Sequence, residues 1–156
     1  MTSGEYGFSP SPGAVVPGGL VKRFFARLID GVIVTIASSL SIVAIFSPGH
    51  LSDILVTGLF TGLLMFVYFV AFETAVGWTP GKKLLGLEVR GPGGAPKPNL
   101  SQSAIRNSWT LFPIVPFIGG LLAFIAIVVI AVTISGSPTK QGKHDELAGG
   151  TEVVAA

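Results

Sequence analysis

Three stretches of this sequence carry no aspartate, glutamate, lysine or arginine: Gly31 to Ser52, Ile54 to Phe72, and Asn107 to Thr139. A helix crossing a hydrocarbon core of about 30 Å needs about 20 apolar residues, so the first two stretches, with their flanks, each suit one crossing. The third would extend about 50 Å as a single helix, which is too long. A soluble domain cannot cover so much apolar surface: 49% of residues are hydrophobic, 12% are charged, and the mean hydropathy is +0.72. The chain reads as an integral membrane protein.

Pro113, Pro116 and the Gly119-Gly120 pair interrupt the third stretch and allow it to fold back. The expected fold is an all-α membrane bundle with two full spans, about 24–46 and 54–76, and a short helical hairpin with arms at about 103–117 and 120–135. The competing layout has an interfacial helix ending near Pro113, one full span and an external C-terminus. Basic residues set the orientation. Lys22, Arg23 and Arg27 precede the first span, and Lys82, Lys83, Arg90, Lys97 and Arg106 follow the second, whereas the connector Ser47 to Asp53 has none. The N-terminus and central loop are thus expected in the cytoplasm. Lys140 and Lys143 place the C-terminus there too, which requires an even number of crossings.

Residues 1–19 are rich in Gly, Pro and Ser and lack the basic start and apolar core of a signal peptide, so a flexible leader is expected. Tyr6 and Phe8 are candidate anchors for it on a neighbour, with an unstructured leader the favoured reading. The module proper covers 20–154. Leu84 to Arg90 and Thr151 to Val154 read as two short strands, which as cytoplasmic neighbours would pair and tie the tail to the central loop.

Charge placement supplies the candidate site. Arg23, Arg27 and Asp30 fall on one helical stripe, with Asp30 about 10 Å further along the axis than Arg23, where an unpaired carboxylate is costly. Arg27 and Glu73 are its nearest candidate neighbours. Ser38 and Ser41 continue the stripe as hydroxyls able to bond across a helix seam, and Gly58 and Gly62 share a face with Glu73 and allow close packing. One reading of Arg23, Arg27, Asp30, Glu73 and Asp145 is a candidate ion site at the inner mouth of a pathway. The other is an ion-pair lock fixing helix register, favoured because the charges lie near one interface with none at mid-membrane. Lys82, Lys83, Arg90, Lys97 and Arg106 are candidate contacts for anionic lipids or a partner, rather than nucleic acid.

Several apparent motifs fail on inspection. Gly77 to Lys83 resembles a phosphate loop, but its glycine spacing is one residue short and Lys83 stands where Ser or Thr is needed. His144 to Leu147 spells a retention signal away from the chain end, and the Asn99-Leu100-Ser101 sequon falls in a loop expected to be cytoplasmic. There is no cysteine, and His144 beside Asp145 has no accompanying nucleophile or ligand cluster. No catalytic residue, cofactor or metal site is expected, and the chain is not expected to be an enzyme.

Four motifs in order carry a family resemblance. They are Arg-x-x-Ala-x-x-Ile-Asp at Arg23 to Asp30, Thr79-Pro80-Gly81-Lys82 followed by Leu84 to Val89, Arg106-Asn107, and Gly142 to Gly149 ahead of Thr151. Together they resemble the RDD family, named for one arginine and two aspartates that correspond to Arg23, Asp30 and Asp145. The link Gly149-Gly150 is one residue longer than the family's usual one. The resemblance implies a compact polytopic module of the bacterial cytoplasmic membrane, and a suggested part in transporting unidentified ligands. Fold membership does not itself confer function. Small size, a weak catalytic endowment and charges confined to one rim point to an accessory or assembly subunit of a larger membrane complex, respiratory or transport in kind. The alternative is a small ion or solute transporter that acts as an oligomer. The expected partners are anionic lipids and other membrane subunits or further copies of the chain.

Overall fold

A computed structural model describes residues 15–45 and 52–156. The connector between the first two spans and the Tyr6 and Phe8 anchors lie largely or wholly outside the described residues. The protein is mostly helical, with α1 at Leu20–Ile45, α2 at Ser52–Val76, α3 at Pro80–Leu84, α4 at Leu100–Asn107, α5 at Gly119–Gly136 and α6 at Lys143–Leu147. Two strands, β1 at Leu87–Arg90 and β2 at Glu152–Ala155, complete it. Among the described residues three helices are long and apolar enough to cross a membrane: Leu20–Val43, Val56–Val76 and Gly119–Gly136.

The expected helical arm at 103–117 takes a different form. α4 ends at Asn107, and Ser108–Ile114 continues as a 3-10 helix containing Pro113. Proline has no N–H to donate and its ring crowds the preceding turn, so an α-helix cannot run through this segment undisturbed. The chain then turns over 115–118, with Phe117 left-handed at φ 65° and fully exposed, before α5 begins.

Small residues set how closely these pieces approach. A Cβ on Gly62 would lie 3.2 Å from the Thr110 carbonyl oxygen, and one on Gly58 would lie 3.3 Å from that of Pro113. The glycine face of α2 therefore meets the 3-10 segment. α1 presents a stripe at four-residue spacing, Ala26, Asp30, Val34, Ser38 and Ile42, all buried. Ser38 reaches Thr61 of α2 at 3.0 Å, whereas the Ser41 hydroxyl turns back to the Ala37 carbonyl of its own helix. Only one of the two serines expected at the seam bridges it.

The sheet is antiparallel, pairing Leu87 with Ala155 and Val89 with Val153. β1 starts later than the sequence suggested, because Leu84 ends α3 and Leu85-Gly86 turn the chain. Leu87, Val89 and Val153 alternate inward and pack on Ala26 of α1. Two strands alone are marginal, and a third segment adds to them: Pro17 bridges Val154, and the Gly18 N–H donates to the Val153 carbonyl at 2.8 Å. The last residues of the expected leader are thus held in this layer. Gly149 and Gly150, at φ 87° and 92°, make the left-handed turn from α6 into β2.

Gly81 marks the tightest approach between α3 and α1. A Cβ there would collide with the Ala26 carbonyl oxygen and lie 2.9 Å from the Asp30 carboxyl carbon. Backbone cannot yield as a flexible side chain can, so Gly81→Ala is expected to destabilise the fold by about 1 to 3 kcal/mol. Thermal unfolding in detergent measures this, and an unchanged melting temperature would contradict the packing described.

Candidate functional site

The ends of α1 and α2 and all of α3, α4 and α6 bring charged groups into one buried layer. Each carboxylate in it is held differently. Asp30, one turn above Ala26 on α1, accepts hydrogen bonds from the Thr79 hydroxyl at 2.6 Å, the Tyr68 hydroxyl at 2.8 Å and the Gly81 N–H at 2.8 Å. It makes no ion pair among the described residues, so neither Arg27 nor Glu73 is the partner the sequence suggested. The Thr79-Pro80-Gly81 turn explains this: Thr79 caps α3 with Pro80 at its first position, which aims a hydroxyl and a backbone N–H at α1. Neutral donors at short range satisfy the carboxylate there.

Glu73, near the end of α2, is fully buried and meets real cations. Lys82 Nζ lies 2.6 Å from Oε1, while Oε2 accepts from Ser103 Oγ and Asn107 Nδ2, each at 2.9 Å, with Arg106 Nε at 3.7 Å. Ser103 and Asn107 are one turn apart on α4, so a single helical face delivers both donors. The Asn99 and Gln102 capping box fixes where that helix begins.

Asp145, at the start of α6, forms the third centre. Arg106 Nη1 is 2.7 Å from Oδ1 and Arg23 Nη1 is 3.2 Å from Oδ2, and the Thr151 hydroxyl and Gly142 N–H add bonds at 3.1 Å each. Burial alone would raise the Asp145 pKa, but Arg106 and Arg23, with the Gly142 N–H, outweigh it and hold the carboxyl below its usual value. Arg23 also donates to the carbonyls of Gly18 and Val153, so it ties α1 to the sheet as well as to α6. Arg106 joins the Glu73 and Asp145 centres. Arg27 stands apart: it donates to Asn107 Oδ1 at 2.7 Å and lies 3.5 Å over the Phe69 ring, with no carboxylate within ion-pair distance.

The basic residues expected to meet lipid or a partner divide into two groups. Lys82 and Arg106 are buried in the charged layer, because fully buried carboxylates draw them inward. Burial lowers the Lys82 pKa to about 8 despite the nearby Glu73. Lys83 sits over the Trp78 ring, Arg90 pairs with Glu88 on β1, and Lys97 donates to the Ala75 carbonyl from an exposed position. The neutral residues were given no place in the site at the sequence level: Tyr68 and Ser103 were not singled out, and Thr79, Asn107 and Thr151 stood only in the family motifs. Thr79 carried a signal in its Thr-Pro-Gly cap, and Ser103 and Asn107 carried one in their four-residue spacing. No group of three or more His, Cys, Asp or Glu gathers among the described residues in a way that could hold a metal. Each of the six carboxylate oxygens of Asp30, Glu73 and Asp145 already accepts at least one hydrogen bond.

Glu73→Gln would leave Lys82 and Arg106 buried with too little negative charge, and is expected to cost about 3 to 5 kcal/mol. Asp30→Asn strands no ion-pair partner and is expected to cost less. Denaturant or thermal unfolding of both variants in one detergent checks the order, and equal losses would contradict it. His144 is the acid-sensitive member. Burial lowers its pKa from 6.5 to about 3, so between those values the unfolded chain binds a proton that the folded one does not. Stability therefore falls as pH drops through that window, by about 2 kcal/mol between pH 7 and pH 4.5. His144→Gln is expected to flatten this pH dependence in detergent melts.

The RDD family profile matches residues 17–149, a range that holds α1 through α6 and every centre of the charged layer. No curated protein and no solved structure matches the chain. That match covers most of the chain, and the chain belongs to the RDD family.

Proposed function

We propose that this protein is an accessory or assembly subunit that packs against a larger membrane complex, respiratory or transport in kind, and that its charged layer is a lock rather than an ion pathway. The observation that carries this reading is the saturation of Asp30, Glu73 and Asp145 by fixed donors. A migrating cation needs free oxygens and groups that reorganise, and it would have to break ion pairs buried between five helices. Ionisable side chains are also absent from the long apolar faces, such as Leu121, Phe124 and Val132 on α5, which stay exposed for lipid or a neighbouring subunit.

The same reading assigns a topology. The charged layer lies at the cytoplasmic face of a bacterial inner membrane, with α1 and α2 as full spans and the 3-10 segment and α5 as a re-entrant pair that returns the chain to that face. Support comes from the end of α5, where Ile134 lies beside Gly142, next to the layer, while its start lies beside Phe112 and Pro113. Lys83, Arg90 and Lys97 then face anionic headgroups, each contributing about 1 kcal/mol.

Extraction of native membranes in a mild detergent tests the role. The protein is expected to co-migrate in a defined larger complex of fixed stoichiometry. Recovery solely as a free monomer, together with ion flux from the pure protein in proteoliposomes, would overturn the proposal.

A further inference from the structure

Behind the charged layer lies a cavity of about 560 Å³, within the size range of small-ligand sites. Its wall is almost wholly apolar, with Phe24 and Leu28 of α1, Met65 of α2, and Ile127 and Ile130 of α5 among its lining. Phe24 and Leu28 are exposed on the outside of the bundle, so the cavity communicates with the region that acyl chains occupy. One end differs in chemistry from the rest, for Arg27, Trp109, Arg106 and His144 also border it.

That end holds donors with nothing to donate to. Arg27 Nη1 and Trp109 Nε1 are both buried and lack any hydrogen-bond partner among the described residues. The two side chains are neighbours, with the Arg27 guanidinium carbon 5.1 Å from the Trp109 ring centre. Arg106 Nε, 3.7 Å from Glu73, also makes no hydrogen bond. Charge is unbalanced in the same sense: Arg23, Arg27, Lys82 and Arg106 face Asp30, Glu73 and Asp145, which leaves one positive charge in excess. Arg27 is the cation without a carboxylate. A guanidinium with no carboxylate in ion-pair contact is costly where water is scarce, and an unmade buried hydrogen bond adds to that cost.

We infer that the cavity binds a single-chain anionic amphiphile, a long-chain carboxylate, with its head at Arg27 and Trp109 and its chain along the α1, α2 and α5 wall. One charged and one neutral unsatisfied donor, on neighbouring side chains, suit the two oxygens of one planar carboxylate. The apolar wall suits an unbranched chain. Binding supplies the missing negative charge and satisfies both donors at once, which a neutral lipid cannot do.

Tryptophan quenching tests this in the intact protein. The Trp78→Phe variant leaves Trp109 as the sole tryptophan, which is excited selectively at 295 nm, and it is reconstituted in nanodiscs of zwitterionic phosphatidylcholine. Titration with 11-bromoundecanoate is expected to quench Trp109 saturably, with 11-bromoundecanol at least about tenfold weaker. Arg27→Gln is expected to weaken the carboxylate by about tenfold and leave the alcohol unchanged. Should Arg27→Gln fail to fold, Ala131→Phe, which narrows the cavity without touching a charge, is expected to abolish saturable quenching. Acid and alcohol binding alike, quenching that rises without saturation, or full carboxylate binding in both variants would overturn the assignment. Dodecyl phosphate displacing 11-bromoundecanoate more effectively than dodecanoate would overturn the choice of head group.

Discussion

Arg106 is the residue on which the architecture turns. Its guanidinium lies between the Glu73 carboxylate of α2 and the Asp145 carboxylate of α6, and all three side chains are buried. Ions removed from water to this degree are tolerated only when attraction and extra hydrogen bonds offset the lost hydration. The protein meets that condition by surrounding each carboxylate with donors from separate parts of the chain. Ser103, Asn107 and Lys82 complete one centre, and Arg23, Thr151 and Gly142 complete the other. Apolar helices in lipid gain little from the hydrophobic effect when they associate, so such polar contacts specify which helix lies against which.

Much of this arrangement could be read from the sequence, and the unread part has a common cause. The charge-free stretches announced three of the long helices, and Gly58 and Gly62 announced a close contact. Pairing of the tail with the central loop followed from two short β-prone segments that could not stand alone, and the small antiparallel sheet is there. The family resemblance, resting on four motifs in order, agrees with a profile match that covers most of the chain.

Partner identity was harder. Asp30 looked as though it needed a cation because depth in a membrane makes an isolated charge costly. Three neutral donors serve instead, and two of them come from a turn 49 to 51 residues away. Lys82 and Arg106 looked like lipid contacts because counting basic residues sets topology without saying which way a side chain points. Residues 122 apart, such as Arg23 and Asp145, are joined only by tertiary structure. The arm at 103–117 was read as one helix because composition reports apolarity, whereas Pro113 and the left-handed Phe117 dictate local geometry.

Asp145 lies late in the sequence, and the cations it neutralises lie earlier. During synthesis α1 and α4 are made before α6 exists, so Arg23 and Arg106 have no Asp145 to pair with until α6 has been translated. The sheet obeys the same timing, since Val16 to Gly18 and β1 are templates without a partner until β2 emerges. Maturation of this protein is thereby keyed to translation of its tail. A chain ending before α6 would leave Arg23 without its carboxylate and Arg106 without one of its two.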